Sequence, residues 1–236
     1  MSAALRVSSS GMMRGVNDGF RLSEVFLSLQ GEGPSAGTPA HFVRLQGCDV
    51  GCHWCDTKYS WDFAAGDLLP IERIWDRARA LGEASMLVVT GGEPLQQAGI
   101  ERLLAQALER WERVEVESSG IGPPPLSHPR LYFNLSPKLP SVTPRWQETW
   151  RHIPAWLAEP QVTFKIVIGD PPDLDDARRL IGEHAIPPGR VMVMPEGMTE
   201  EKLRARAPEL AETCKRNGYR LSPRLHIWMW GARRGV

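Results

Sequence analysis

Between Arg21 and Gly197 the chain alternates two patterns of apolar residues. One is a set of short runs rich in Val, Ile, Leu and Phe: RLSEVFLSLQ, AHFVRLQG, SMLVVTGG, RVEVESSG, RLYFNLSP, VTFKIVIGD and RVMVMPEG. Each run is bounded by Gly, Pro or polar turn residues, which predicts strands. In the other, apolar residues recur every three or four positions, which predicts helices over Pro70 to Leu81, Pro94 to Trp111, Asp173 to His184 and Thr199 to Asn217. Pro70 and Pro94 suit the first turn of such helices, where no backbone donor is needed. Strands alternating with helices imply βα units, hence an α/β fold with a mostly parallel sheet whose ligands gather at the C-terminal ends of the strands. Ser141 to Pro160, with Trp146, Trp150 and Trp156, fits neither pattern and reads as a helical insertion or a dimer surface. Residues 1–20 lack periodicity and read as a mobile leader, leaving 21–236 as a single domain with a C-terminal extension.

Composition removes several classes of partner. Lys plus Arg and Asp plus Glu both number 28, so net charge gives no reason to expect nucleic acid or a membrane surface as ligand. No apolar run is long enough to span a bilayer, and the N-terminus carries no signal-peptide core. Four cysteines, of which Cys214 stands alone, make a poor disulfide framework and suit a reducing compartment, so a cytoplasmic protein is expected. Nine tryptophans are compatible with a homodimer interface and equally with core packing.

The other three cysteines carry the chemistry. Cys48, Cys52 and Cys55 form a C-x3-C-x2-C triplet directly after the strand HFVRLQG. Three thiolates this close can share a metal centre but leave a four-site centre one ligand short. A structural zinc site is normally closed by a fourth Cys or His, and none lies nearby, whereas an iron-sulfur cluster can keep one iron open for a ligand.

Further along, SMLVVT ends in Thr90, Gly91, Gly92, Glu93 and Pro94. Adjacent glycines let the backbone approach a ligand closely, and Glu93 can accept from an amine. The triplet followed by GGEP resembles the radical S-adenosylmethionine (SAM) superfamily. That resemblance implies an incomplete TIM-like βα barrel and one 4Fe-4S cluster on Cys48, Cys52 and Cys55. It also implies SAM on the open iron, cleaved to a 5'-deoxyadenosyl radical that removes hydrogen from substrate, with Trp54 beside the adenosyl group.

Other stretches address the substrate. Leu29, Gln30, Gly31, Glu32 and Gly33 pair an amide and a carboxylate that can read the edge of a heterocycle such as a pterin. Arg44, among apolar neighbours, needs an anionic partner: a substrate carboxylate, or internally Glu32 or Asp56. Thr57, in the CDT that ends the cysteine run, offers a hard oxygen suited to Mg2+, although an Asp-Thr pair is also an ordinary cap or turn.

LQGEG, FVRLQGC, CDVGCHWCDT, TGGEP, NLSPK and MPEG, in this order, resemble the 7-carboxy-7-deazaguanine synthase family. The resemblance implies ring contraction of 6-carboxy-5,6,7,8-tetrahydropterin with loss of ammonia, in 7-deazapurine (queuosine) biosynthesis, assisted by Mg2+. It implies pterin contacts from Leu29, Gln30, Gly31, Glu32, Arg44 and Thr90, and an Mg2+ ligand in Thr57. SAM contacts would come from Trp54, Gly92, Glu93, Ser136 and Lys138, with Lys165, Met194, Pro195 and Glu196 as further candidates. It also implies a flavodoxin or ferredoxin-type reductant. No acid or base is assigned. His226 is followed by IWMWGARRGV, a longer tail than in compact family members, so Val236 receives no role. The alternatives are an activase that places a glycyl radical on a partner protein and a non-catalytic zinc module.

Overall fold

A computed structural model describes residues 19–236. The expected leader therefore lies outside the described residues except for Gly19 and Phe20, which already belong to the first strand, with Phe20 buried. The strands are β1 (Gly19–Leu29), β2 (Pro39–Leu45), β3 (Asp67–Pro70), β4 (Met86–Gly91), β5 (Arg113–Ser118), β6 (Leu131–Leu135), β7 (Val162–Ile168), β8 (Val191–Pro195) and β9 (Arg220–Leu221). The helices are α1 (Ile71–Arg79), α2 (Ile100–Leu108), α3 (Trp146–Trp150), α4 (Ile153–Ala158), α5 (Pro171–Glu183), α6 (Glu200–Asn217) and α7 (Leu225–Trp230). All nine strands join one sheet in the order β3-β1-β2-β4-β5-β6-β7-β8-β9. From β2 and β4 through β9 every neighbour is parallel, as the alternation predicts. Because β3 and β9 are unpaired edges, the fold is an open, incomplete barrel.

Three local expectations are corrected. β1 runs antiparallel to β2 and β3, because residues 30–38 and 46–66 carry the chain between these strands as loops with no crossover α-helix. Pro70 ends β3 and precedes α1, so it caps the helix from outside. Pro94 opens a single 3-10 turn, and α2 begins only at Ile100, after the left-handed Gly99. The Ser141 to Pro160 segment is helical, forming α3 and α4, with Trp150 and Trp156 in the core.

Strand alternation divides the protein into two faces. Val43, Leu45, Leu87, Val89, Val114, Val116, Phe133, Leu135, Phe164, Ile166 and Val193 pack outward against buried helix residues such as Ile74, Trp75, Leu103, Leu104 and Leu180. That outer layer is the hydrophobic core. Opposite-parity residues point into the barrel and include Arg44, Thr90, Glu117, Ser136 and Lys165, so the interior carries polar groups beside a small apolar cluster of Ala40, Phe42, Met86 and Val88 with Phe26. A β-bulge between Leu22 and Glu24, where two residues oppose one step of β2, keeps Leu22 in the core while turning Glu24 inward opposite Arg44.

Four of the nine tryptophans serve the core. Trp75, Trp111, Trp150 and Trp156 are buried, and each indole N–H donates to a protein acceptor: Gln106, His41, Lys138 and Gly122. Arg190 stitches the end of α4 to β7 by donating to the carbonyls of Trp156, Leu157, Glu159 and Val162 at 3.3, 2.9, 2.6 and 3.1 Å. Arg190→Ala strips those carbonyls of their donor, and the loss should cost about 2–4 kcal/mol, read as a lower urea midpoint. An unchanged midpoint would contradict this account of the α4–β7 junction.

Candidate functional site

A cavity of about 350 Å³ opens inside the barrel, and it is lined by Cys48, Cys52, Cys55, Thr57, Leu29, Gln30, Gly31, Glu32, Arg44, Thr90, Trp54, Gly92, Glu93, Ser136, Lys138, Lys165, Met194 and Glu196. Of the residues given a metal, substrate or cofactor role from sequence, only Pro195 is missing: it has the outward parity of β8. Residues far apart in the chain thus share one chamber.

The cysteine loop leaves the end of β2 and is gripped from two sides. On one side Gly92 donates to Leu45 at 3.0 Å and Glu93 to Gly47 at 2.9 Å. A methyl group on Gly92 would lie 2.2 Å from the Gly47 oxygen and 2.6 Å from the Ser60 oxygen, so only glycine permits this contact. On the other side Thr143 donates to the Val50 carbonyl at 2.5 Å, Arg145 to that of Asp49 at 2.8 Å, and His53 N–H to Val142 at 3.1 Å. The segment leading into α3 thus acts as a clamp on this loop.

Glu93 is buried and saturated by protein donors: Leu95 N–H at 3.0 Å, Ser118 Oγ at 2.6 Å, and the Ser119 N–H and Oγ at 2.8 and 2.5 Å. The sequence suggested a carboxylate awaiting an amine. The fold instead uses it to fix the GGE backbone beside the cysteines.

Burial pushes the Cys48 thiol up to about 12 and raises that of Cys52. Cys55 Sγ accepts from Trp61 Nε1 at 3.3 Å and shares a hydrogen bond with Thr57 Oγ1 at 3.5 Å. Among the described residues no three Cys, His, Asp or Glu side chains converge closely enough to hold a single metal ion. A cluster spreads its irons over separate corners, so its thiolates need not meet at one point, and three sulfurs along one cavity wall fit such a donor set. Lys138 stands beside them, its Nζ 3.1 Å from Ser136 Oγ and 5.4 Å from the Trp54 ring centre.

Across the interior runs a row of alternating charge. Asp56 pairs with Arg224 at 2.6 Å, Arg224 with Glu32 at 3.0 Å, Glu32 with Lys165 at 2.6 Å, and Lys165 with Glu117 at 2.8 Å. Burial alone would raise the Glu32 carboxyl, but Lys165 and Arg224 outweigh it and hold it well below the usual carboxylate range. Burial would likewise depress Lys165, yet Glu117 and Glu32 raise it above its ordinary value. For Glu117 burial wins, and its carboxyl is raised despite Lys165. His226, 3.8 Å from Glu32, is lowered by burial, which outweighs the nearby carboxylate. Gln30 donates to Glu117 at 3.2 Å. The LQGEG loop folds inward and is pinned from the C-terminal end of the chain, Leu225 N–H donating to Gly31 at 2.9 Å and Gly33 N–H to Ser222 Oγ at 2.9 Å.

Arg44 finds neither Glu32 nor Asp56 as its internal partner: it pairs with Glu24 at 2.6 Å. Sequence reading missed Glu24, Glu117, Arg224 and His226. One signal was available in RVEVES, LYFNL and VTFKIVI, where a polar residue of constant parity interrupts each otherwise apolar strand.

A model of the radical SAM superfamily matches residues 42–132. A protein of Pyrobaculum aerophilum named 7-carboxy-7-deazaguanine synthase is 41% identical over 219 residues, covering 91% of this chain and 96% of its own length. One of the same name from Hyperthermus butylicus is 35% identical over 243 residues, covering 96% and 98%. The crystal structure of QueE from Escherichia coli matches with a TM-score of 0.63 at 26% identity, over 86% of this chain and 93% of that one.

The charge row yields a pH prediction. The depressed Glu32 value contributes stability that is present above the ordinary 4.5 and lost as pH falls through the folded value. Lys165→Met leaves two buried carboxyls without the cation between them, which raises their folded values and reverses the sign. The variant should lose about 3–5 kcal/mol at pH 8 and markedly less at pH 5, read from urea midpoints. A loss equal at both pH values would contradict the pairing.

Proposed function

The chain belongs to the 7-carboxy-7-deazaguanine synthase family of radical SAM enzymes, and on that premise we propose how its cavity divides the work of the reaction. The enzyme contracts 6-carboxy-5,6,7,8-tetrahydropterin to 7-carboxy-7-deazaguanine with release of ammonia, as a lyase of queuosine biosynthesis. The activase and zinc-module readings gain no support. The observation that carries the division of roles is that the cysteine loop, the GGE backbone and the polar LQGEG and Arg44 groups border one cavity.

Cys48, Cys52 and Cys55 hold the 4Fe-4S cluster. When bound, the cluster and SAM supply the radical that takes a hydrogen atom from the pterin. All other contributions come from side chains and backbone that bind, orient and exclude water. Gly92 and Glu93 present backbone groups to SAM, and the four donors on Glu93 keep that backbone from shifting. Trp54, with Lys138 near its ring, offers a flat apolar face to the adenine, while Ser136 and Lys138 supply polar contacts. Met194 and Glu196 border the same chamber, whereas Lys165 is committed to Glu32 and Glu117 and acts through them.

The pterin lies across the interior. Glu32, kept ionised by Lys165 and Arg224, accepts from the amidine-like edge, and Gln30 and the Leu29 to Gly31 backbone bracket it. Arg44 and Thr90, neighbours on β2 and β4, face the carboxylate side. Thr57, which borders the same cavity, would offer a hard oxygen to Mg2+, and the ion would there neutralise the substrate carboxylate. Asp56 is held by Arg224 and is the less available of the pair.

A flavodoxin or ferredoxin-type protein supplies electrons, the enzyme works in the cytoplasm, and it acts as a homodimer. The last is supported by Trp228 and Trp230 of α7, which are 63% and 38% exposed while most other tryptophans are internal.

Anaerobically reconstituted protein given reductant, SAM, Mg2+ and the carboxytetrahydropterin should form 7-carboxy-7-deazaguanine. No product from protein with a full complement of iron would overturn the reading. Cys52→Ala should lose both iron and product, and retained turnover with full iron would show the triplet to be misassigned. Thr57→Ala should require at least about tenfold more Mg2+ for half-maximal turnover, since one charge-dipole ligand is lost. An unchanged Mg2+ response removes Thr57 from the metal site.

A further inference from the structure

Three donors meet on Glu24. Arg44 Nε and Tyr59 OH reach its Oε1 at 2.6 and 2.8 Å, and Arg234 Nε reaches its Oε2 at 2.8 Å. Arg234 also lies over the Tyr59 ring, its guanidinium carbon 3.9 Å from the ring centre. Arg44, Tyr59 and Arg234 all border the reaction cavity. Both arginines engage Glu24 through Nε, the edge atom, and among the described residues no protein acceptor takes the terminal Nη groups of either. One carboxylate cannot neutralise two guanidinium groups, so the trio presents a net positive charge and two free forks at the cavity wall.

The backbone is arranged for this meeting. The bulge before Glu24 breaks the pairing with β2 for one step, which brings Glu24 to the interior directly opposite Arg44. Arg234 comes from the tail beyond α7, 210 positions away in the chain. A half-exposed ion pair such as Arg234 with Glu24 adds little to stability. Its Nε-bound geometry over the Tyr59 ring does fix where the fork stands.

We propose that Arg234 is a second carboxylate-reading arginine, which Glu24 and Tyr59 hold beside Arg44 at the cavity wall. This rests on the pterin carboxylate lying at Arg44, as assigned above. Glu24 is then a positioning residue: it engages neither substrate nor cofactor but orients both guanidinium groups by their inner edges.

The test compares equilibrium binding of 6-carboxytetrahydropterin and of tetrahydropterin lacking the carboxyl group, by anaerobic calorimetry on protein loaded with cluster and SAM. In Arg234→Gln the preference for the carboxylated ligand should fall about tenfold, with iron content and affinity for the unsubstituted pterin retained. Arg234→Lys, which keeps the charge and loses the fork, should recover part of that preference. A tail that merely covers the cavity would weaken both ligands alike, and that result, or a preference kept within about threefold, overturns the proposal. If the parent protein showed no preference for the carboxylated pterin, the placement of that carboxylate at Arg44 would fail first, which separates the two ideas.

Discussion

The row of ion pairs from Asp56 through Arg224, Glu32 and Lys165 to Glu117 is the constraint on which the rest of the site depends. It joins the residue after the last cysteine, the segment before α7, the loop after β1, the middle of β7 and the C-terminal end of β5. Remove the row and the LQGEG loop has little reason to fold into the barrel. Its backbone would still be tied to Leu225 and Ser222, but Glu32 would be a buried charge without cations. Buried ion pairs seldom stabilise a protein better than apolar packing of the same volume. What this row provides is placement: it holds one carboxylate ionised inside a chamber where a heterocycle needs an acceptor.

Such an interior is affordable because stability is secured elsewhere. The apolar core lies on the outer face of the sheet, between strands and helices, where Trp75, Trp150, Trp156 and Phe133 are fully enclosed. The inner face packs only a small apolar cluster of Ala40, Phe42, Met86 and Val88 against Phe26, and elsewhere β1, β2, β4, β5, β6 and β7 use it for polar side chains. The two faces meet at the rim. There the Gly47 and Gly92 backbones touch, Glu93 locks the GGE turn, and Thr143 and Arg145 hold the cysteine loop from the other side. A radical source needs this kind of rigidity, because its reactive atom must stand at a fixed distance from substrate.

Much of the site was legible in the sequence because its motifs are local. Cys48, Cys52 and Cys55 declare themselves by spacing, and GGEP and LQGEG lie at strand ends where ligands are expected. The alternation of strands and helices gave the parallel sheet from β2 onward. What remained hidden was pairing at long range. Lys165 finds Glu32 across 133 positions, Arg224 finds Asp56 across 168 and Glu32 across 192, and no periodicity announces such contacts. The internal partner of Arg44 escaped for a subtler reason: a one-residue bulge decides which way Glu24 faces, and a simple count of alternation passes over it. Gly92 was legible as a glycine needed for close approach, but what approaches it is the cysteine loop itself.

The central claim is that the polar interior spanned by the ion row, facing the three cysteines, is where the pterin binds. Diffraction from anaerobic crystals of the reconstituted enzyme with SAM and 6-carboxytetrahydropterin tests it most directly. Anomalous iron signal should lie among Cys48, Cys52 and Cys55, with the pterin ring inside the barrel, its amidine edge on Glu32 and Gln30 and its carboxylate at Arg44. Pterin density outside the barrel, with the interior closed by the row alone, would contradict the account.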